Sequence, residues 1–115
     1  MSRRLRSRKS NRIGGKRAEV LYPAAIFAAL GDGTRLLLVS RLAEGEPKSI
    51  AQLTEGTKLT RQAITKHLQV LEKVGFVSGA RSGRENLYEL DLRPFKDAQE
   101  YLDFVSGQWD RALHR

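Results

Sequence analysis

The sequence predicts a mainly α-helical domain carrying one small β-hairpin, an α+β arrangement of about five helices with the hairpin before the last. Three observations lead there. Leu59 to Val77, "LTRQAITKHLQVLEKVGFV", has a clean apolar stripe with a polar, mostly basic face opposite. Two short runs of β-formers flank Ser82-Gly83. The final 25 residues carry apolar positions spaced alternately three and four apart.

The 115 residues suffice for one domain with one core. No apolar run reaches the length of a membrane span, and no signal-peptide pattern opens the chain. Cysteine is absent, so disulfides, thiolate nucleophiles and thiolate metal sites are excluded. The expected location is cytoplasmic, with no membrane partner.

The net charge of +8 points to a polyanionic partner. Residues 1–17 hold eight Lys and Arg and no acid, which accounts for the whole excess. That opening stretch is too poor in apolar groups to offset the entropy of ordering. Residues 1–19 are therefore expected to form a basic, flexible arm ahead of a domain over 20–115. Within the domain, residues 58–84 carry six basic residues against one acid, and residues 85–115 carry four against seven.

Regular structure is expected from about Tyr22, with Pro23 in a first turn and Gly31 past the last apolar residue. A second helix follows, capped by Asp32, burying Leu36, Leu37, Val39 and Leu42 and ended by Gly45 and Pro47. "SIAQLTEG" is a short third helix in which Ser49 and Gln52 have capping-box spacing. "TKL" is then a three-residue turn, and Thr60 caps the fourth helix.

In the fourth helix Ile64, Leu68 and Leu71 stand at i, i+4, i+7 on one face. At about 100° per residue, Gln62, Thr65, Lys66, Gln69 and Lys73 gather on the other. Gly75 marks its end. The hairpin has its turn at Ser82-Gly83, with Arg81 and Arg84 beside the tip. Asp91 and Pro94 suit the start of a last helix over about 92–113. On it Phe95, Ala98, Leu102, Val105, Trp109 and Ala112 make an a/d seam that predicts a helical partner.

Helix, three-residue turn, polar-faced helix and hairpin in this order make a winged helix-turn-helix. The DNA major groove admits one α-helix, and the preceding helix braces it. Arginine matches guanine O6/N7, glutamine matches adenine N6/N7, and threonine offers a hydroxyl and a methyl. Arg61, Gln62, Thr65 and Lys66 are such a set, and Gln69 on the same helix is counted with them as DNA-binding. Lys58, Lys73, Arg81 and Arg84 are placed to meet phosphates, with Ser82 and Gly83 between the last two at the DNA-binding tip. A polar face alone would read more readily as a solvated surface; the turn, cap, basic excess and hairpin in sequence favour double-stranded DNA.

Catalysis and metal binding find little support. No nucleophile elbow or paired acid and base stands out, and "GDGTR" lacks the Lys-Ser/Thr ending of a phosphate loop. His67 lies at the edge of the apolar face. Asp110 and His114 at i, i+4 read as a charge-compensated helix end. No enzyme, cofactor or metal is expected.

"FAALGDGTRLLLVSRL", "IAQLTEGTKLTRQAITKHLQVLEKVGFV" and "GRENLYEL" together resemble the ArsR-type winged-helix transcriptional regulators of bacteria and archaea. The likeness runs from about Ile26 to Leu90 and is most specific over Thr65 to Val77. It implies a homodimer joined through first and last helices, a helix reading operator DNA with Arg61, Gln62, Thr65 and Lys66, and a wing tip at Arg81 to Arg84. It also implies that His67 supports the DNA-binding helix rather than a metal. Departures are Gly33, where many members have proline, and Lys58, where many have the turn glycine. The cysteines or His/Asp sets of the metal-sensing branch are missing, so the resemblance does not extend to metal or arsenic sensing. The resulting expectation is a homodimeric repressor on a palindromic operator, with any effector unidentified. The rival readings are a non-specific basic nucleoid- or RNA-binding protein and a metal-responsive repressor.

Overall fold

The protein's structure, a computed structural model, describes the backbone of residues 15–114 and the side chains of residues 22–114. The element order is α1 (Gly15–Leu30), α2 (Gly33–Leu42), β1 (Lys48–Ser49), α3 (Ile50–Thr54), α4 (Arg61–Val74), β2 (Val77–Ser82), β3 (Glu85–Leu90) and α5 (Arg93–Leu113). Among the described residues this is the winged helix-turn-helix arrangement: five helices and a three-stranded antiparallel sheet ordered β1-β3-β2.

Helix α1 starts earlier than expected. It runs from Gly15, which places Pro23 inside it and takes residues 15–19 from the expected arm. Lys16, Arg17, Ala18, Glu19 and Leu21 are good helix formers, enough to extend the helix upstream of a proline that removes one amide donor. The expectation for residues 1–14 lies outside the described residues.

The caps follow local chemistry. The Asp32 carboxylate accepts from the Arg35 amide at 3.0 Å and ends the bend between α1 and α2, which differ by 89°. Ser49 and Gln52 form the expected reciprocal capping box. Thr60 Oγ1 accepts from the Ala63 amide at 3.0 Å, and Gly75 closes α4 at a φ of +96°.

The core draws on every helix. Ile26, Leu38, Leu53, Ile64, Leu68, Leu71 and Phe76 are almost fully buried. The expected burial in α2 holds at Leu42 and in part at Val39 but fails at Leu36 and Leu37, whose place Leu38 takes. Leu38 and Leu42 face inward and Val39 is half-buried, whereas Leu36 and Leu37 are 49% and 41% exposed. A run of four consecutive apolar residues leaves the helical phase open, and Leu38 with Leu42 is the i, i+4 pair that enters the core.

The sheet also differs from a simple hairpin. β1 pairs with β3 through Lys48↔Tyr88 and Ser49↔Leu87, a third strand that the sequence reading leaves as linker and cap. The β2–β3 register pairs Ser82 with Glu85, so the turn residues are Gly83 and Arg84, not Ser82 and Gly83. Gly83 has a φ of +62° and Arg84 is not left-handed, the pattern of a turn with glycine first. Gly79 is required on β2, since a Cβ there would lie 2.9 Å from the Tyr88 ring.

The start of α5 is tied to the core. The Asp91 amide donates to the Phe76 carbonyl at 2.8 Å, and the Phe95 ring meets the Phe76 ring edge-on at 4.6 Å. Asp91 lies one residue before the N-cap, Leu92, and accepts from the Arg93 amide.

Candidate nucleic-acid interface

Thr60 fixes the first turn of α4, and the buried triad of Ile64, Leu68 and Leu71 fixes its rotation. With that face inward, Arg61, Gln62, Lys66, Gln69 and Lys73 are all exposed; Gln62, Lys66, Gln69 and Lys73 share one stripe, and Arg61 stands beside it in the first turn. Thr65 is half-buried. Its hydroxyl donates to the Arg61 carbonyl at 2.8 Å and keeps its acceptor capacity. Lys58 is exposed in the turn before α4.

The wing tip is exposed throughout Arg81 to Arg84. Arg81 Nε donates to the Gly83 carbonyl at 3.1 Å, so this side chain braces the turn while its terminal nitrogens stay available. Arg84 sits in the turn itself rather than beside it.

The turn between the two DNA-motif helices is held by a residue that sequence reasoning passed over. Arg41 on α2 donates to the Leu53 carbonyl at 2.8 Å and the Glu55 carbonyl at 2.6 Å, satisfying the orphan carbonyls at the end of α3. Thr57 adds a hydroxyl bond to the Thr54 carbonyl. Arg35 is a second such residue. It donates through Nε to the Ala29 carbonyl at 2.6 Å and through Nη1 to His67 Nδ1 at 3.2 Å. The only signal in the sequence is an arginine in the first turn of a helix; nothing local names its partners.

His67 also lies 3.7 Å from the Asp32 carboxylate. The Arg35 amide, desolvation and the nearby His67 and Arg35 charges act on Asp32, and the amide bond dominates, holding its carboxyl below the ordinary aspartate range. His114 Nδ1 lies 2.7 Å from the Asp110 carbonyl, a backbone contact rather than a pairing of ring and carboxylate. Among the described residues no three His, Cys, Asp or Glu side chains converge.

The apolar seam of α5 divides in two. Ala98 is buried and Phe95 half-buried, both against their own domain. Leu102, Val105 and Trp109 are 52%, 43% and 64% exposed, and Ala112 is exposed with them. The seam therefore serves the monomer core in its first turns and presents an uncovered apolar surface beyond them. Phe104 and Leu113, outside the seam, are exposed as well. No single helix among the described residues is long and apolar enough to cross a membrane.

Comparison with known proteins agrees with this geometry. Residues 30–79 match a helix-turn-helix domain family, HTH_20. The chain is 39% identical over 79 residues to the HTH-type transcriptional regulator YuzN of Bacillus subtilis, covering 64% of this chain and 86% of that one. An ArsR-like transcriptional regulator from Rhodococcus sp. RHA1 superposes with a TM-score of 0.73 at 32% identity, over 82% of this chain and 88% of that one. The homodimeric winged helix-turn-helix DNA-binding domain of Mb0332 from Mycobacterium bovis superposes with a TM-score of 0.61 at 25% identity, over 87% and 90%. An exposed basic and amide-bearing helix, a braced turn and a basic wing tip are thus set in the fold of these regulators, and the chain belongs to the ArsR family of winged helix-turn-helix DNA-binding transcriptional regulators.

Proposed function

We propose that the protein is a sequence-specific repressor that binds a palindromic operator as a homodimer. Arg61, Gln62, Thr65, Lys66 and Gln69 read base edges in the major groove. Lys58, Lys73 and the wing tip from Arg81 to Arg84 hold phosphates, and the basic stretch ahead of α1 adds to them. Repression is steric: the dimer occupies two half-sites and excludes polymerase. The protein works in the cytoplasm, catalyses no reaction and needs no metal.

The observation that carries this reading is the exposed face of α4, set opposite a fully buried triad. A helix so fixed presents amides and cations in a rigid order, which is what base reading requires. The homodimer is supported by the uncovered half of α5 and by the homodimeric state of the Mb0332 domain. Independence from metal is supported by the lack of cysteine and by the contacts of both histidine Nδ1 atoms with an arginine and a backbone carbonyl.

Selection of bound duplexes from a random pool tests the proposal. The expected product is a palindrome whose half-sites lie about one DNA turn apart, ~34 Å. Binding without enrichment of any sequence would instead mark a non-specific basic protein. Release of the selected DNA by stoichiometric zinc or arsenite would overturn the metal-free reading.

A further inference from the structure

We propose that Arg35 and His67 form a positioning link that fixes the recognition helix α4 relative to the frame made by α1 and α5. The inference rests on the homodimeric operator-binding reading above. It concerns what sets the angle of each reading helix within the dimer.

The link runs through one guanidinium. Arg35 Nε and Nη2 donate to the Ala29 and Ala28 carbonyls at 2.6 and 3.4 Å, so the side chain caps the C-terminal end of α1. Nη1 of the same planar group reaches His67 Nδ1 on α4 at 3.2 Å. The Arg35 amide is bound in turn by Asp32 at 3.0 Å, which pins the root of the side chain at the 89° bend. Helix α1 is fastened to α5 by the Tyr22 hydroxyl donating to Asp97 at 2.9 Å and by the edge-on Phe27–Tyr101 contact at 6.1 Å. A rigid fork with two carbonyls at one end and a ring nitrogen at the other transmits orientation, where a lysine ammonium would swivel.

The chemistry also fixes the histidine. Arginine has no acceptor, so in the neutral ring Nδ1 accepts at this contact and the proton sits on Nε2; the Asp32 carboxylate, 3.7 Å from the same Nδ1, is the partner only of the protonated ring. At about 100° per residue, His67 lies roughly 140–160° around α4 from Gln62 and Gln69. It therefore touches no base that those residues read. Its contribution to recognition passes through Arg35.

Loosening the link would let α4 pivot on its apolar face. Each protomer would still bind a half-site, but the two helices would no longer hold one separation. The population competent for the correct spacing falls, and apparent affinity falls with it.

The test uses the full chain, the selected palindrome, and duplexes with the half-sites moved apart by one and two base pairs. The wild type should discriminate strongly between spacings. His67→Leu should lower that discrimination about tenfold, within the range of a hydrogen bond to a charged group, with binding to random DNA unchanged. His67→Asn should restore it, because Oδ1 accepts in place of Nδ1. Nitrogen-15 NMR of the neutral wild-type imidazole should show the Nε2–H tautomer of His67, a result independent of DNA and of any variant's folding. An Nδ1–H tautomer, or a uniform loss on all DNA in both variants, would overturn the link. A wild type with no spacing preference would instead refute the paired half-site reading on which the link depends.

Discussion

Trp109 gives the sharpest contrast between the two halves of α5. It is 64% exposed, while Phe95, on the same seam, has its ring 4.6 Å from the fully buried Phe76. A tryptophan presents up to about 250 Å², so about 160 Å² of it remains to be covered. At about 25 cal/mol/Å² that is ~4 kcal/mol per protomer and ~8 for a symmetric pair, an upper bound that partial covering would reduce. Trp109→Asp removes this and adds two carboxylates to an apolar contact. The dimer should weaken by at least ~10³-fold, and the protein should sediment as a monomer at micromolar concentration. Its thermal midpoint, extrapolated to the monomer, should change little. Phe95→Asp should behave oppositely, placing a charge against Phe76 inside the core and costing the ~3–5 kcal/mol of a lost buried aromatic or more, so that the chain unfolds. Sedimentation equilibrium with circular dichroism separates these outcomes. A Trp109→Asp protein that remains a tight dimer would refute the assignment of the outer half of α5 to the interface.

Other consequences follow from individual contacts. Thr60→Ala removes the cap of α4 and should cost ~1 kcal/mol in urea unfolding, with m unchanged. The Asp32 carboxyl is held below its ordinary value by the Arg35 amide, so its contribution is full above that ordinary value and is lost as pH falls through the lower folded one. Stability measured below about pH 4 should accordingly fall less steeply with acid in Asp32→Asn than in the wild type. Lys73→Ala should weaken binding to operator and random DNA alike and reduce the salt slope by about one, measured between low and physiological salt.

What the sequence disclosed was mostly local. Asp32, Ser49, Thr60 and Gly75 could be placed because a cap bonds to a backbone three or four residues away. The inward face of α4 is legible because Ile64, Leu68 and Leu71 keep the i, i+4, i+7 spacing with mostly polar residues between them. Where the run is uninterrupted, as from Leu36 to Val39, no period exists and the wrong leucines were expected inside. Strand β1 escaped notice because two residues become a strand only by meeting Tyr88 and Leu87, some forty positions later. The α5 seam was found, but periodicity cannot say whether an apolar face meets its own domain or another copy, and here it meets its own at Phe95 and Ala98. Arg35–His67 and Arg41–Leu53 are pairings across helices that no spacing rule announces.

The claim that α4 reads sequence is tested most directly by one comparison. Dissociation constants are measured at physiological salt for the wild type and Gln62→Ala, on the selected palindrome and on scrambled DNA. The account predicts a wild-type preference of at least ~10³ for the palindrome, within the range of specific regulators. Gln62→Ala should lose about 1–3 kcal/mol on the palindrome, accept other bases at one position per half-site, and bind scrambled DNA as before. Equal affinities for both DNAs in the wild type, or equal losses on both in the variant, would contradict it.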